Sequence, residues 1–215
     1  MPDPGRYPGY DVLRKRHTPS WNDKTRQVVD ARLAVPREPR FFTGQEMAMV
    51  TAIADRLVPQ PRSRPPVPVA ALIDDKLHKG HEDGFRGDGM PREREAWRRG
   101  LAALDAEARA RHGAGFAGLP GPQQDALLKR MEQGGLSGPA WGGMPSKTFF
   151  KQRMAKDIVF AYYAHPTAWS EIGFGGPASP RGYVRLGYDE RDPWEAAEAR
   201  DGDAGDAQRK NRNVG

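Results

Sequence analysis

The residues best equipped for chemistry lie between His78 and Gly89. His78, His81, Glu82 and Asp83 fall within six positions, and imidazole with carboxylate is a ligand set that zinc accepts. Their spacing matches no metal motif, however, and histidines at a helix end also complement its negative terminus. Gly84–Gly89 reads GFRGDG. A glycine-rich loop can cradle a phosphate, but this one follows no strand and lacks both the P-loop Lys-Ser/Thr pair and a G-x-G-x-x-G. Its glycines are expected to supply positive φ in a turn-rich loop. Asp83 and Asp88 are a candidate cation pair without calcium-loop spacing. His165 is a candidate base with Asp157 or Glu171, but none of Ser137, Ser146, Ser170 and Ser179 stands in a nucleophile elbow. Before Pro166, a histidine reads as a helix cap. The chain has no cysteine, which excludes disulfides, thiol catalysis, Cys-ligated zinc, iron–sulfur clusters and covalent c-type haem. The expectation is a chain with no catalytic residue, cofactor site or metal site of its own.

The strongest signal is aromatic. Phe149 to Trp194 holds ten of the nineteen Phe, Tyr and Trp residues in 46 positions. Its first part reads as a helix; from His165 onward Gly and Pro break every periodic pattern. Trp169, Phe174, Tyr183, Tyr188 and Trp194 have the spacing of interface anchors, and Tyr7, Tyr10 and Trp21 join them from the N-terminal side. Two readings stand: these rings contact a partner protein, or they fold back on the chain's own helices.

The elements that must position these residues read as helices. Thr43 and Glu46 fit a capping box, followed by a stripe of Met47, Val50, Ile53, Ala54, Leu57 and Val58 that Pro59 stops. A second helix starts at Pro68 with Val69, Leu72, Ile73 and Leu77 on one face, and Gly80 ends it. A third runs from Pro91 to His112 with Trp97, Leu101, Leu104 and Ala108 inward and Gly113 as C-cap. A fourth spans Pro120 to Met131. A fifth starts near Ser146, with Phe150, Met154, Ile158 and Ala161 inward. No strand pattern is convincing; Arg181–Leu186 is the weak candidate. The fold class is therefore all-α, four to five helices with long Gly/Pro-rich loops (25 Gly, 20 Pro). The expected organisation is an extended N-terminal arm over 1–40, a helical domain over 41–165, an aromatic tail over 166–200 and a disordered polar tail over 201–215.

Net charge is +6, from 34 Lys and Arg against 28 Asp and Glu. The signs alternate, as in PREREAWRR from Pro91, and no focused basic face emerges, so nucleic acid is not an expected partner. No apolar stretch is long enough to span a membrane. The first residues show no apolar h-region and no twin-arginine motif.

Taken in order, FFTGQEMAMVTAIADRLVP, the Val67–Leu77 helix, WRRGLAALDAEARARHGAGFAGLPGPQQDALLKRME and a Phe-Phe helix leading to IGFGGP resemble the small subunit, subunit 3, of gluconate 2-dehydrogenase, over about residues 41–194. The resemblance implies a non-catalytic subunit of a membrane-associated complex. In such a complex a flavoprotein of the glucose–methanol–choline type binds FAD and oxidises a sugar or polyol, and a multihaem cytochrome c takes the electrons. The small subunit stabilises and matures the flavoprotein; a transient folding or export chaperone for that flavoprotein is the alternative. A periplasmic location then rests on a signal carried by a partner, and a cytoplasmic one is the other reading.

Overall fold

In the computed structural model of the chain, the structure describes residues 5–62, 64–177, 187, 190–200 and 202–214. Among these the regular elements are all helical: α1 (Asp23–Leu33), α2 (Gly44–Leu57), α3 (Val69–His78), α4 (Glu93–His112), α5 (Gly121–Gln133), α6 (Ser146–Phe149), α7 (Ala155–Tyr163), α8 (Pro166–Ile172) and α9 (Ala204–Arg212). No described residue is in a strand, as the periodicity predicts; Arg181–Leu186 lies outside the described residues. The chain divides into two compact units. One comprises Met1–Val35, Pro61–Val67 and Tyr163–Gly215, the other Pro36–Gln60 and Pro68–Tyr162.

The second of these units contains the helices that the sequence patterns predict. The capping box opens α2: Glu46 N donates to Thr43 Oγ1 at 3.2 Å and Thr43 N to Glu46 Oε2 at 2.7 Å. Met49, Val50, Ile53 and Ala54 form its buried side; Met47, Leu57 and Val58 of the expected stripe are only half-buried, and Met49 takes the inward place expected of Met47. Gly113 and Gly134 end α4 and α5 in the left-handed region, where glycine carries no Cβ penalty. A chain of edge-to-face rings runs through the core: Phe41–Phe42 (5.0 Å), Phe42–Trp97 (5.8 Å), Trp97–Phe149 (5.8 Å) and Phe149–Trp141 (6.1 Å). Gly100 of α4 lies against the Phe149 ring, which occupies the place a Cβ would take.

The fifth predicted helix is interrupted. Between α6 and α7, Phe150–Met154 forms a single π-helical turn. Such a turn inserts one residue into the α-helical register. Here it lets the consecutive Phe149 and Phe150 both be buried while Met154, Ile158 and Ala161 continue the inward face.

The first unit joins the two ends of the chain. Tyr10, Val12, Trp21, Val29, Trp169 and Val214 make its core. Asn211 of α9, fully buried, accepts from Ala197 N at 2.7 Å and donates to Pro8 O at 3.0 Å and Ala197 O at 2.9 Å. Ala199 N donates to Arg6 O at 2.8 Å. Composition assigns 201–215 to a polar tail; the structure places α9 there, held by its buried Ala207 and Asn211 rather than by an apolar stripe.

Candidate functional site

Two arrangements collect the residues that sequence reading singled out. In the unit containing α2 to α7, Asp83 from the loop after α3, Glu93 at the start of α4 and Asp157 of α7 present carboxylate oxygens within 4.8 Å of one another. That spacing suits a cation, but three side chains already supply the charge. Lys76 of α3 meets Asp83 at 3.0 Å, Glu93 at 2.5 Å and Asp157 at 3.1 Å. Arg153 of the π turn meets the same three at 3.2, 2.6 and 3.4 Å, and Lys156 meets Asp83 at 3.0 Å. Three acids face three bases, and a metal would have to displace ammonium or guanidinium groups. Trp97 Nε1 completes the set, donating to Asp157 Oδ2 at 2.8 Å.

The electrostatics follow from burial. Burial pushes the Asp157 carboxyl above its ordinary range, against the pull of Arg153, Lys76 and the Trp97 N–H. At Asp83 burial pushes upward too, but hydrogen bonds from Lys156 and Lys76 outweigh it and hold the group down at about 2. The network ties α3, α4 and α7 to the Gly84–Gly89 loop. Of the four metal candidates proposed from sequence, only Asp83 enters it; His78, His81 and Glu82 are exposed outside. In the loop, Gly84 and Gly89 have φ of 73°, the positive values expected of them, while a Cβ at Gly87 would make the Gln152 side chain shift and would press on Thr148. The loop lines a cavity of about 420 Å³ together with Lys151 and Gln152, and Phe85 stands 74% exposed at its edge.

The second arrangement is aromatic and lies in the other unit. Tyr10, Trp21 and Trp169 are buried in its core cluster, and Trp194 is buried as well. Trp21 Nε1 donates to Gly175 O at 3.0 Å and Trp169 Nε1 to Tyr163 O at 2.6 Å. The Arg32 guanidinium sits 5.2 Å from the centre of the Trp169 ring and donates to Ala164 O at 3.0 Å. Tyr7 packs on the cluster and is half-buried. Phe174 meets Trp169 edge-on at 5.6 Å yet keeps 39% of its surface exposed. Tyr183 and Tyr188 lie outside the described residues. Tyr10, Trp21, Trp169 and Trp194 are buried within the chain, which leaves little of their surface open to a partner. Nearby, His165 caps α8: its Nδ1 accepts from Thr167 N at 3.3 Å.

Sequence reading missed one exposed surface. On α7, Val159, Phe160 and Tyr163 fall on one face and are exposed, Phe160 by 62%. Their spacing, i, i+1 and i+4, beside the inward Ile158 and Ala161 was the available signal.

Fold and sites together define an all-α protein whose clustered charges and most of whose described tail aromatics serve cohesion, with a remaining set of rings left outward. More particularly, the chain belongs to the gluconate 2-dehydrogenase subunit 3 family, whose model matches residues 44–176. The family is one of accessory subunits within a multi-subunit dehydrogenase complex. The match takes in α2 to α8 and ends before Tyr183, Tyr188 and Trp194. No curated protein and no solved structure matches the chain.

Proposed function

We propose that this chain is the non-catalytic small subunit of a membrane-associated, FAD-dependent dehydrogenase of the gluconate type acting on a sugar or polyol, and that it stabilises and matures the flavoprotein subunit. Family membership over residues 44–176 carries the reading. FAD and c-type haem belong, on this proposal, to a glucose–methanol–choline-type flavoprotein and a multihaem cytochrome c. Among the described residues no helix is long and apolar enough to cross a membrane; association with the membrane through a partner is part of the proposal. Val159 and Phe160 in one unit and, separately, Tyr163, Ile172 and Phe174 in the other are exposed apolar groups that the proposal offers to a partner. Tyr7, Tyr183 and Tyr188 remain assigned to it as well. Trp169, Trp194, Tyr10 and Trp21 act by holding their unit together. Binding the folded flavoprotein and not its unfolded chain raises the flavoprotein's stability by mass action.

The test is affinity purification of the tagged chain from its native host, read by mass spectrometry and flavin absorbance. A stoichiometric yellow partner is the expected result. A colourless chain purified alone would overturn the subunit reading and favour a transient chaperone. Phe160→Ser with Phe174→Ser is expected to lose the partner while leaving helical circular dichroism intact.

A further inference from the structure

The unit that joins the two chain ends holds a cavity of about 250 Å³, lined in part by Tyr7, Lys15, Ser20, Gly175, Trp194 and Glu195. Lys15 is only 3% exposed. Its ammonium lies beside the Gly175 α-carbon, so close that a Cβ at 175 would stand 2.9 Å from Nζ. Among the described residues no hydrogen bond or ion pair reaches that ammonium. Two nearby acceptors each take a hydrogen bond from another donor: Gly175 O from the Trp21 indole at 3.0 Å, and Glu195 Oε2 from the Asp192 amide at 3.2 Å. The backbone of Lys15 is fixed, its own carbonyl accepting from Thr18 N and Oγ1 at 3.0 and 2.7 Å.

The contrast with Arg153 is informative. That buried cation meets three carboxylates, whereas Lys15 meets none among the described residues, and a buried charge without a partner is expensive. Burial pushes the Lys15 ammonium down to about 8, with Glu195 and Asp192 opposing the shift only in part. Three N–H donors thus border a cavity whose carboxylate, Glu195, acts on them through its charge but makes no hydrogen bond to them among the described residues.

We propose that this cavity is a binding site for a small oxyanion, whose oxygens pair with the Lys15 ammonium. The Trp194 and Tyr7 rings supply apolar walls for a short carbon skeleton, and the Ser20 hydroxyl is a further polar contact. The negative charges of Glu195 and Asp192 favour a singly charged carboxylate over a phosphate dianion. A side chain at 175 would press on Nζ and displace the ammonium from its present place. The site lies outside the charge network, and of its lining named here only Tyr7 is also assigned to the partner contact.

Calorimetric titration of the full chain tests it, with lactate and inorganic phosphate as separate probes. Lactate is expected to saturate near neutral pH and to weaken by about tenfold per pH unit once the solution rises above the Lys15 transition, because only the charged amine binds. Proton uptake on binding should appear as a dependence of the heat on the buffer's ionisation enthalpy. Lys15→Met should lose saturable binding while keeping its helical spectrum; Gly175→Ala should weaken it with Lys15 in place. Saturation by lactate alone identifies a carboxylate source and by phosphate alone a phosphate source; either supports the oxyanion site. Failure of both probes to saturate at tens of millimolar, or equal binding by Lys15→Met, overturns it.

Discussion

Asp74 shows how much one side chain can organise. It is buried on α3, and its carboxylate accepts the backbone amides of Arg40 at 2.8 Å, Phe41 at 2.9 Å and Phe42 at 2.8 Å. Those residues lead into the capping box of α2 and begin the chain of rings in the core. Asp74→Ala would orphan three amides, and we expect a loss of about 3 kcal/mol, read as a fall in urea midpoint. Gly100→Ala tests packing. Alanine gains about 1 kcal/mol of helix propensity over glycine, but the new methyl overlaps the Phe149 ring. Overpacking costs about 1–3 kcal/mol, so the variant is expected to be less stable on balance. Lys15→Met should do the opposite. The folded state holds this amine at about 8, below its ordinary 10.5, so the cost of burying its charge is full below pH 8 and vanishes above pH 10.5. The shift corresponds to about 3 kcal/mol at most. Lys15→Met should therefore melt higher than the parent at neutral pH, and its advantage should shrink as pH rises through that window. The sequence does not announce Lys15, which sits in an Arg-Lys-Arg-His run that reads as solvated; only the long-range approach of Gly175 reveals its burial.

At the scale of elements, legibility followed range. The Thr43–Glu46 box, the Trp97–Ala108 stripe and the Gly113 cap depend on residues three to sixteen positions apart, and each could be read from the sequence. The π turn could not: an inserted residue leaves no periodic mark when Phe149 and Phe150 adjoin. Nor could the charge network, whose members Lys76, Asp83, Glu93, Arg153 and Asp157 are brought together by folding. Arg153 is the member to remove. Arg153→Leu leaves Glu93 and Asp157 buried with only Lys76 to face them, and breaking a buried ion set typically costs about 3–5 kcal/mol. The loss should appear as earlier unfolding and as faster proteolysis in the Gly84–Gly89 loop. Helix α9 was hidden for a different reason. Only Ala207 and Asn211 of its residues are buried, so no apolar face marks it. Asn211→Ala removes one acceptor and two donors from Pro8 and Ala197, and we expect earlier thermal unfolding with increased quenching of Trp21 and Trp169 fluorescence by iodide.

For the molecule as a whole, the all-α class and the family are both legible in the amino-acid sequence, because they rest on ordered helical segments and not on one diagnostic residue. The grouping of the chain is not. Tyr7, Tyr10 and Trp21 look like loose anchors in the sequence, since their partners are about 150 to 200 positions away. The aromatic surplus was therefore rightly conspicuous, but most of its described tail members prove to be core, and the outward rings are fewer. If the subunit reading holds, addition of the chain should raise the melting temperature of the flavoprotein in a concentration-dependent way; a melting temperature indifferent to its concentration would count against it.

The clasp of Asn211 on Pro8 has a consequence for how the protein is made. Synthesis runs from the N-terminus at about 5–20 residues per second, so Pro8 emerges roughly 10–40 s before its partner exists. Helices α2 to α7 have all their own contacts by Tyr163 and can settle while translation continues. Tyr10, Trp21 and their neighbours cannot; they wait for Trp169 and Gly175, and their cluster is complete only when Asn211 and Val214 are added. A nascent chain stalled at residue 200 should thus hold a folded helical body while its N-terminal segment lacks the Asn211 and Val214 contacts, and release of the last residues is the event that completes that cluster.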